Sequence, residues 1–592
     1  MKRDSGLADS AHGPYAGGMF RQVVSERLSL IPLLGLTLFF PFLSLSSPFF
    51  EGGDGARELV AGLELTFVVL ALFDHELRLP NPLRFSRVLR WALFIWVLWA
   101  LAATLFSEHS ARALVRQSEW FLHLLTAAVA FAWLRRYPNH IGHLSTAVPT
   151  GFLLLGIFLI VGLPEQLAAN PSAAFQIPGF EEPRHYGYYA VVALAYLAAK
   201  PAAPPFSIRV AGTAFVAMTA TWVFIFWSGS RGPLVAIVTS LVLLFVVRID
   251  PAWKKCIALT IAAALLGAGL STQLPNPSSS HGVERILRYS VMLDEKPESV
   301  PLIDFMTNGR ARLWSRVAPQ ALLHPWFGHG PDGYLYSGAR GTRTEQPHNL
   351  ALQFLFDWGL VGAAAMLLIL VLVAVQQIRS VRTLSRRPGP DRDRGARLGA
   401  LFALLSLAVL SLFDGSLHHS YPLSLAALSF AICVQPPRDS ALPETNLVLR
   451  GAYVVVAIGI GFVFVLHTLV MLALSKTELP EPGAARVELV RAFPSRLESV
   501  DTGWSVFYWS ANWAKTNPPL AIDWLHWGHH YARDPWRFYQ LEGRLLLASG
   551  DHEAARSHFE RAREHAFDEE RLAASQTFLE KTDPEPPPSS SP

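Results

Sequence analysis

The sequence predicts an all-α membrane protein: a polytopic helix bundle of about thirteen spans followed by a helical-repeat domain. Three observations predict it. Of 592 residues, 51% are hydrophobic and only 16% charged, with a mean hydropathy of +0.29, whereas a soluble protein carries about 25% charged residues. The apolar residues come in blocks near the roughly 20 that cross a bilayer. The basic residues concentrate in every second connection, as topology in a membrane requires. The formal net charge of +4 decides less than this placement.

The first block, 28–49, follows Arg21 and Arg27 and has no small-residue cleavage site, so it reads as an uncleaved span behind a cytoplasmic segment, 1–27. Arg78, Arg84, Arg87 and Arg90 follow block 59–73, at the start of block 88–106. Blocks 114–133 and 141–163 flank Arg135 and Arg136, and blocks 186–199 and 210–227 flank Lys200 and Arg209. Blocks 234–247 and 256–270 flank Arg248, Lys254 and Lys255. Blocks 350–375 and 398–413 flank the strongest cluster, Arg379 to Arg397, and blocks 421–434 and 452–474 complete the set. If the spans alternate, all these loops share one side. The N-terminus is then cytoplasmic and, with an odd number of spans, the C-terminal region is outside. Arg112 and Arg116, in a short outer loop, break the pattern. Cys256 and Cys433 form no CxxC pair, so neither a disulfide nor a metal motif is expected.

Within the membrane domain, 28–475, the outer loop 273–347 carries Arg285, Arg288, Arg310, Arg312, Arg316, Arg340 and Arg343. Long loops escape the orientation rule. Such a surface either packs on anionic headgroups or forms an electropositive cavity for a phosphorylated substrate. In 476–582 the composition turns amphipathic. Ala555, Phe559 and Ala562 have the small–large–small spacing of a tetratricopeptide second helix, and Tyr539, Gly543, Leu546 and Gly550 suit the helix and turn before it. Ala521, Leu525 and Gly528 stand one repeat length earlier. The Trp-rich stretch from Trp504 to Trp527 reads as repeat core or a membrane-facing belt rather than a sugar platform, and the Pro/Ser-rich tail, 583–592, as disordered.

Three stretches carry the chemistry. The first, Ser228-Gly229-Ser230-Arg231-Gly232, sits at a span boundary. The second is Asn308-Gly309-Arg310-Ala311-Arg312-Leu313-Trp314, followed by His324-Pro325-Trp326-Phe327-Gly328-His329-Gly330-Pro331. The third is Pro347-His348-Asn349-Leu350, with Trp358-Gly359-Leu360-Val361-Gly362 in the span behind it. Together they resemble the O-antigen ligase/polymerase family of bacterial envelope glycosyltransferases, over a core of 184–375. The resemblance implies a GT-C-like bundle in the bacterial inner membrane, with its C-terminal domain periplasmic. The donor it implies is a glycan on undecaprenyl diphosphate, and the chemistry is metal-independent, with no cofactor.

By the same resemblance Arg184, Arg231 and Arg310 bind the diphosphate. A guanidinium holds phosphate oxygens in pairs and stays charged at any relevant pH. His348 is the candidate base, because an imidazole with an ordinary pKa near 6.5 has a neutral fraction ready to accept a proton. Plainer roles stand beside these. Arg184 and Arg231 suit interfacial anchors, and His348 suits a helix-start residue bonded to backbone. His329 with Asp332 reads as loop structure, and His418, His419 and Asp414 as an outer turn. The acceptor stays open between lipid A–core, another glycan and a protein hydroxyl. An envelope protein on the C-terminal repeats and the membrane lipids are the other expected partners, and nucleic acid is not expected. A lipid-linked glycan transporter, which would place its polar groups near the bilayer midplane, and a scaffold for an envelope complex are the rival classes.

Overall fold

The computed structural model describes residues 26–45, 53–169, 183–203, 207–274, 310–336, 346–386, 393–434, 447–474, 513–529, 535–566 and 569–582, with a few isolated positions besides. The segment 1–25, the tail 583–592, the Arg184 side chain and Arg285, Arg288, Arg340 and Arg343 of the outer loop lie outside the described residues. Among the described residues the fold is all-α. The helices are α1 (26–45), α2 (Gly53–Leu72), α3 (Arg87–Leu105), α4 (Ser110–Arg136), α5 (His140–Ala169), α6 (Pro183–Ala199), α7 (Ile208–Trp227), α8 (Arg231–Val246) and α9 (Trp253–Ser271). They continue with α10 (Arg310–Ala321), α11 (Leu350–Ser385), α12 (Arg394–Ser411), α13 (Ser420–Cys433), α14 (Leu447–Leu474), α15 (Pro518–Gly528), α16 (Pro535–Ala548), α17 (His552–Glu564) and α18 (Glu569–Glu580). Each apolar block of the sequence falls on one of α1–α9 or α11–α14. Seven of these helices are long and apolar enough to cross a membrane, and α8 and α13 are shorter apolar helices.

The chain divides into two compact units, the first made of residues 1–90, 119–293 and 370–461. Its centre is α6. Tyr186, Tyr188, Tyr189 and every residue from Ala190 to Ala195 are fully buried. A helix apolar on all faces must be surrounded, and α5, α7, α8 and α12 pack around it. Glycine sets the approach: a Cβ on Gly399 would stand 2.9 Å from the Tyr196 backbone, so α12 lies against α6 with almost no side chain between. The ends of this unit sort by chemistry. At one end Arg394 Nε donates to Asp250 (2.6 Å), Arg136 pairs with Glu76, and Arg450 donates to the carbonyls of Leu72, Asp74, His75 and Leu77. These are the last carbonyls of α2 and its turn, which have no partners inside the helix. The first turns of α6 and α8 lie at the opposite end.

The second unit consists of residues 91–118, 294–369 and 462–592. In it the loop 322–333 is locked onto a break in α11. Gly359 has φ +65°, and there the helix kinks. The His329 N–H donates to the Phe356 carbonyl (2.7 Å), the Leu360 N–H to the Pro325 carbonyl (2.8 Å), and the Trp99 indole to the Trp326 carbonyl (2.7 Å). A Cβ on Gly328 would lie 2.3 Å from the Phe356 carbonyl, and one on Gly359 2.3 Å from the Trp326 carbonyl. The backbones touch only because both residues are glycine. In the C-terminal part, α16 and α17 form a hairpin in which the Gly543 position receives the Phe559 ring, with Ala555, Phe559 and Ala562 fully buried. Gly550 turns the chain at φ +85°, and Asp551 caps α17 by accepting from the Ala554 N–H (3.0 Å). Trp524, fully buried, centres the core around α15, with Trp513 and Trp527 packed against it.

Candidate active site

In the first unit, Ser228-Gly229-Ser230-Arg231-Gly232 is the joint between α7 and α8. Ser228 Oγ donates back to the Ile225 carbonyl (2.8 Å), and Gly229, at φ +64°, reverses the chain. Arg231 opens α8, half-buried. A Cβ on Gly187 would lie 2.7 Å from Pro233 and 3.6 Å from Ser230 Oγ, so the first turns of α6 and α8 meet there. Arg184 is one turn before Gly187 on α6, so the backbones of Arg184 and Arg231 start at the same end of the unit. The buried Asp414, after α12, is 3.6 Å from a Cβ placed on Gly232. The rings of His185 and His419 meet at 4.1 Å, with Tyr188 and His418 next to His419. The sequence reading left His418 and His419 as a turn. The structure brings His419 to the same helix start as Arg184, a proximity that local spacing does not reveal.

In the second unit, His348 is buried and stands just before α11 in the left-handed region, φ +51°. Non-glycine residues seldom adopt this conformation, and where they do it tends to mark a site. Two interactions hold it. Asn349 Oδ1 caps α11 by accepting from the Leu352 N–H (3.0 Å), and the Trp314 indole donates to the Pro347 carbonyl (2.9 Å). Trp314 belongs to α10, which is seated by the buried Leu313, Val317 and Ala321. Arg310, half-buried, opens α10 one turn before Trp314.

Behind this stretch is a buried charge cluster that the sequence reading did not assemble. Asp332, at φ +61°, accepts from Arg112 Nε (2.9 Å) and lies 3.4 Å from Arg116 Nε. All three are essentially inaccessible. Asp357 is buried beside them and accepts from Gln353 Nε2 (2.8 Å). The two arginines that broke the topology pattern therefore neutralise a buried acid, and the broken pattern was their one sequence signal. His329 is structural, as expected: its ring stacks on Phe356 (4.3 Å), and Nε2 lies 3.0 Å from the Gln320 carbonyl. Burial holds its pKa below the ordinary histidine value.

The first unit also has a buried polar chain. Arg57 Nε lies 3.0 Å from Glu119, Glu119 accepts from Ser420 Oγ and faces His123, and His123 Nδ1 lies 3.0 Å from Glu64. Ionisable groups inside membrane spans are functional candidates by default. Here Glu64, Glu119 and His123 were hidden in blocks read for their hydropathy.

Compared with known families, residues 214–367 match the family model described as O-antigen ligase. The match lies within the core of 184–375 and includes Arg231, Arg310 and His348. No curated protein matches the chain. The chain thus carries an O-antigen ligase family domain over residues 214–367, at the centre of a membrane helix bundle.

Proposed function

We propose that the protein transfers a glycan from undecaprenyl diphosphate to an acceptor hydroxyl at the outer face of the inner membrane, in the manner of an O-antigen ligase. The observation that carries this reading is the meeting of two helix N-termini, α6 and α8, each opening with an arginine. Helix N-termini attract anions through unpaired N–H groups and the helix dipole. Arg184 and Arg231 add fixed positive charge, and Arg310 contributes a third guanidinium. The diphosphate binds to these groups while its lipid stays in the bilayer. His348 takes the proton from the acceptor hydroxyl, whose oxygen attacks the anomeric carbon. The bond from that carbon to the diphosphate breaks, and the lipid diphosphate leaves with the electron pair. The arginines stabilise the charge growing on the leaving oxygen more than that of the bound donor, which is what lowers a barrier. The sorting of basic groups to one end of the first unit supports this end as cytoplasmic and the arginine-bearing helix starts as outer. The ligase reading is preferred because the family match is to that description. A glycan polymerase and a protein O-oligosaccharyltransferase would use the same donor chemistry. The C-terminal hairpins favour an added protein contact, because stacked hairpins of this kind present a peptide-binding face.

The test uses purified protein in vesicles with a lipid diphosphate-linked glycan and separate acceptors. Arg231→Lys should lose most transfer, since an ammonium cannot reproduce the guanidinium fork. His348→Ala should slow transfer by about 10²–10⁴-fold, the usual worth of a general base, while a lipid diphosphate analogue still binds within about tenfold. Wild-type transfer by His348→Ala would remove the base from the mechanism. Movement of donor across the vesicle without bond formation would favour a transporter.

A further inference from the structure

Three consecutive helices of the C-terminal domain bring together a His–Glu–His set. His529 follows α15, Glu542 lies in the middle of α16, and His558 lies in α17. His529 Nε2 is 2.7 Å and His558 Nδ1 3.4 Å from the same oxygen of Glu542, and one ligand atom from each residue fits within 4.8 Å of the other two. Glu542 is buried, and both imidazoles are mostly covered. The Tyr539 ring packs against the His529 ring at a tilt, with centroids 4.1 Å apart. Among the described residues, His558 Nδ1 is enclosed and makes no hydrogen bond, although it faces the carboxylate. His526, exposed, stands at the open side with Nδ1 3.9 Å from the other Glu542 oxygen.

We infer that His529, Glu542 and His558 form a binding site for a divalent transition-metal ion of the zinc type, with His526 or a water as fourth ligand. Zinc takes imidazole nitrogen and carboxylate oxygen at about 2.0–2.2 Å in tetrahedral array, which sets its ligand atoms roughly 3.3 Å apart. The His558–Glu542 distance already meets this, and the His529–Glu542 distance meets it after a small rotation of either side chain. A set of imidazoles and one carboxylate, without thiolate, suits zinc and its first-row neighbours rather than calcium or magnesium. A plain hydrogen-bonded cluster explains His529 but leaves the enclosed His558 nitrogen unused. The ion would join α15, α16 and α17, tying the hairpin to the helix before it. This site is independent of glycan transfer.

The test uses the full chain in detergent, stripped with a chelator and titrated with Co²⁺. Wild type should bind one ion per chain with the visible absorption of a tetrahedral cobalt centre, and Zn²⁺ should displace it. His558→Gln and Glu542→Gln should each weaken binding by about tenfold or more and lose that absorption. His552→Gln, exposed at the start of α17, should bind as wild type. Zn²⁺ should also raise the unfolding temperature of wild type and leave that of Glu542→Gln unmoved, a reading that holds for any variant that still melts cooperatively. No binding by wild type, or equal binding by wild type and the folded His558→Gln, would overturn the site.

Discussion

Asp332 is one carboxylate against two buried guanidinium groups. Breaking a buried pair by removing one partner costs about 3–5 kcal/mol, because the remaining charge is left in a poor solvent. Asp332→Asn keeps the size and loses the charge. It should lower the unfolding temperature of the detergent-solubilised protein by several degrees, whereas a loop aspartate exposed to water would change it little; an unmoved melt would mean other groups balance Arg112 and Arg116. At this scale the sequence was legible where a site is contiguous. Arg231 and His348 stand in short polar motifs at helix starts, and helix starts are where unpaired N–H groups and solvent access make such residues useful. Sites assembled from distant segments were not legible. Glu119 and His123 share one helix face four residues apart, but only packing brings Arg57 and Glu64 of another helix to them. His529, Glu542 and His558 have no metal-ligand spacing, because consecutive helices rather than one loop supply them.

At the scale of elements, hydropathy found the helices and missed their breaks. The run 350–375 reads as one uninterrupted span, yet α11 kinks at Gly359. A single glycine in an apolar helix carries no signal that another backbone will approach it. The partner lies in the loop before α11, where Gly328 is equally strained. Gly359→Ala meets both a positive φ and a carbonyl at 2.3 Å. The conformation alone costs about 1–3 kcal/mol, and the contact forces the loop away. Proteolysis near His324–Gly330 should quicken in Gly359→Ala, and transfer should fall with it, since His348 stands just before α11. Equal protease resistance in both proteins would mean that the lock is not what holds the loop. In α16 and α17 the small–large–small spacing located the hairpin correctly, because Gly543 and Phe559 form a lock-and-key pair whose sizes are visible in the sequence.

At the scale of the whole molecule, orientation is the expectation with the most to lose. A reporter active only outside the cytoplasm should be active when fused after Leu474 and silent when fused at Pro388, within the basic cluster. The reverse result would place Arg184, Arg231 and His348 on the wrong side for a donor already carried across the membrane. The expectation rests on the alternating basic loops, because insertion responds to charges near span ends rather than to the finished fold.

α4 shows what this fold asks of synthesis. The helix is made with Arg112, Arg116, Glu119 and His123 on it. Glu119 and His123 emerge to find Arg57 and Glu64 already made. Arg112 and Arg116 must wait for Asp332, which for Arg112 is 220 residues further along the chain. During that interval the start of α4 carries two cations that lack this carboxylate, and a cation resists entry into hydrocarbon by about 2.5–3.5 kcal/mol at the bilayer centre. That end of α4 therefore has reason to stay near water, shallow in the membrane, until the ribosome has passed the loop before α11. The late arrival of one aspartate then seats a helix begun much earlier, and a nascent chain stopped before Asp332 should remain a client of the insertion machinery.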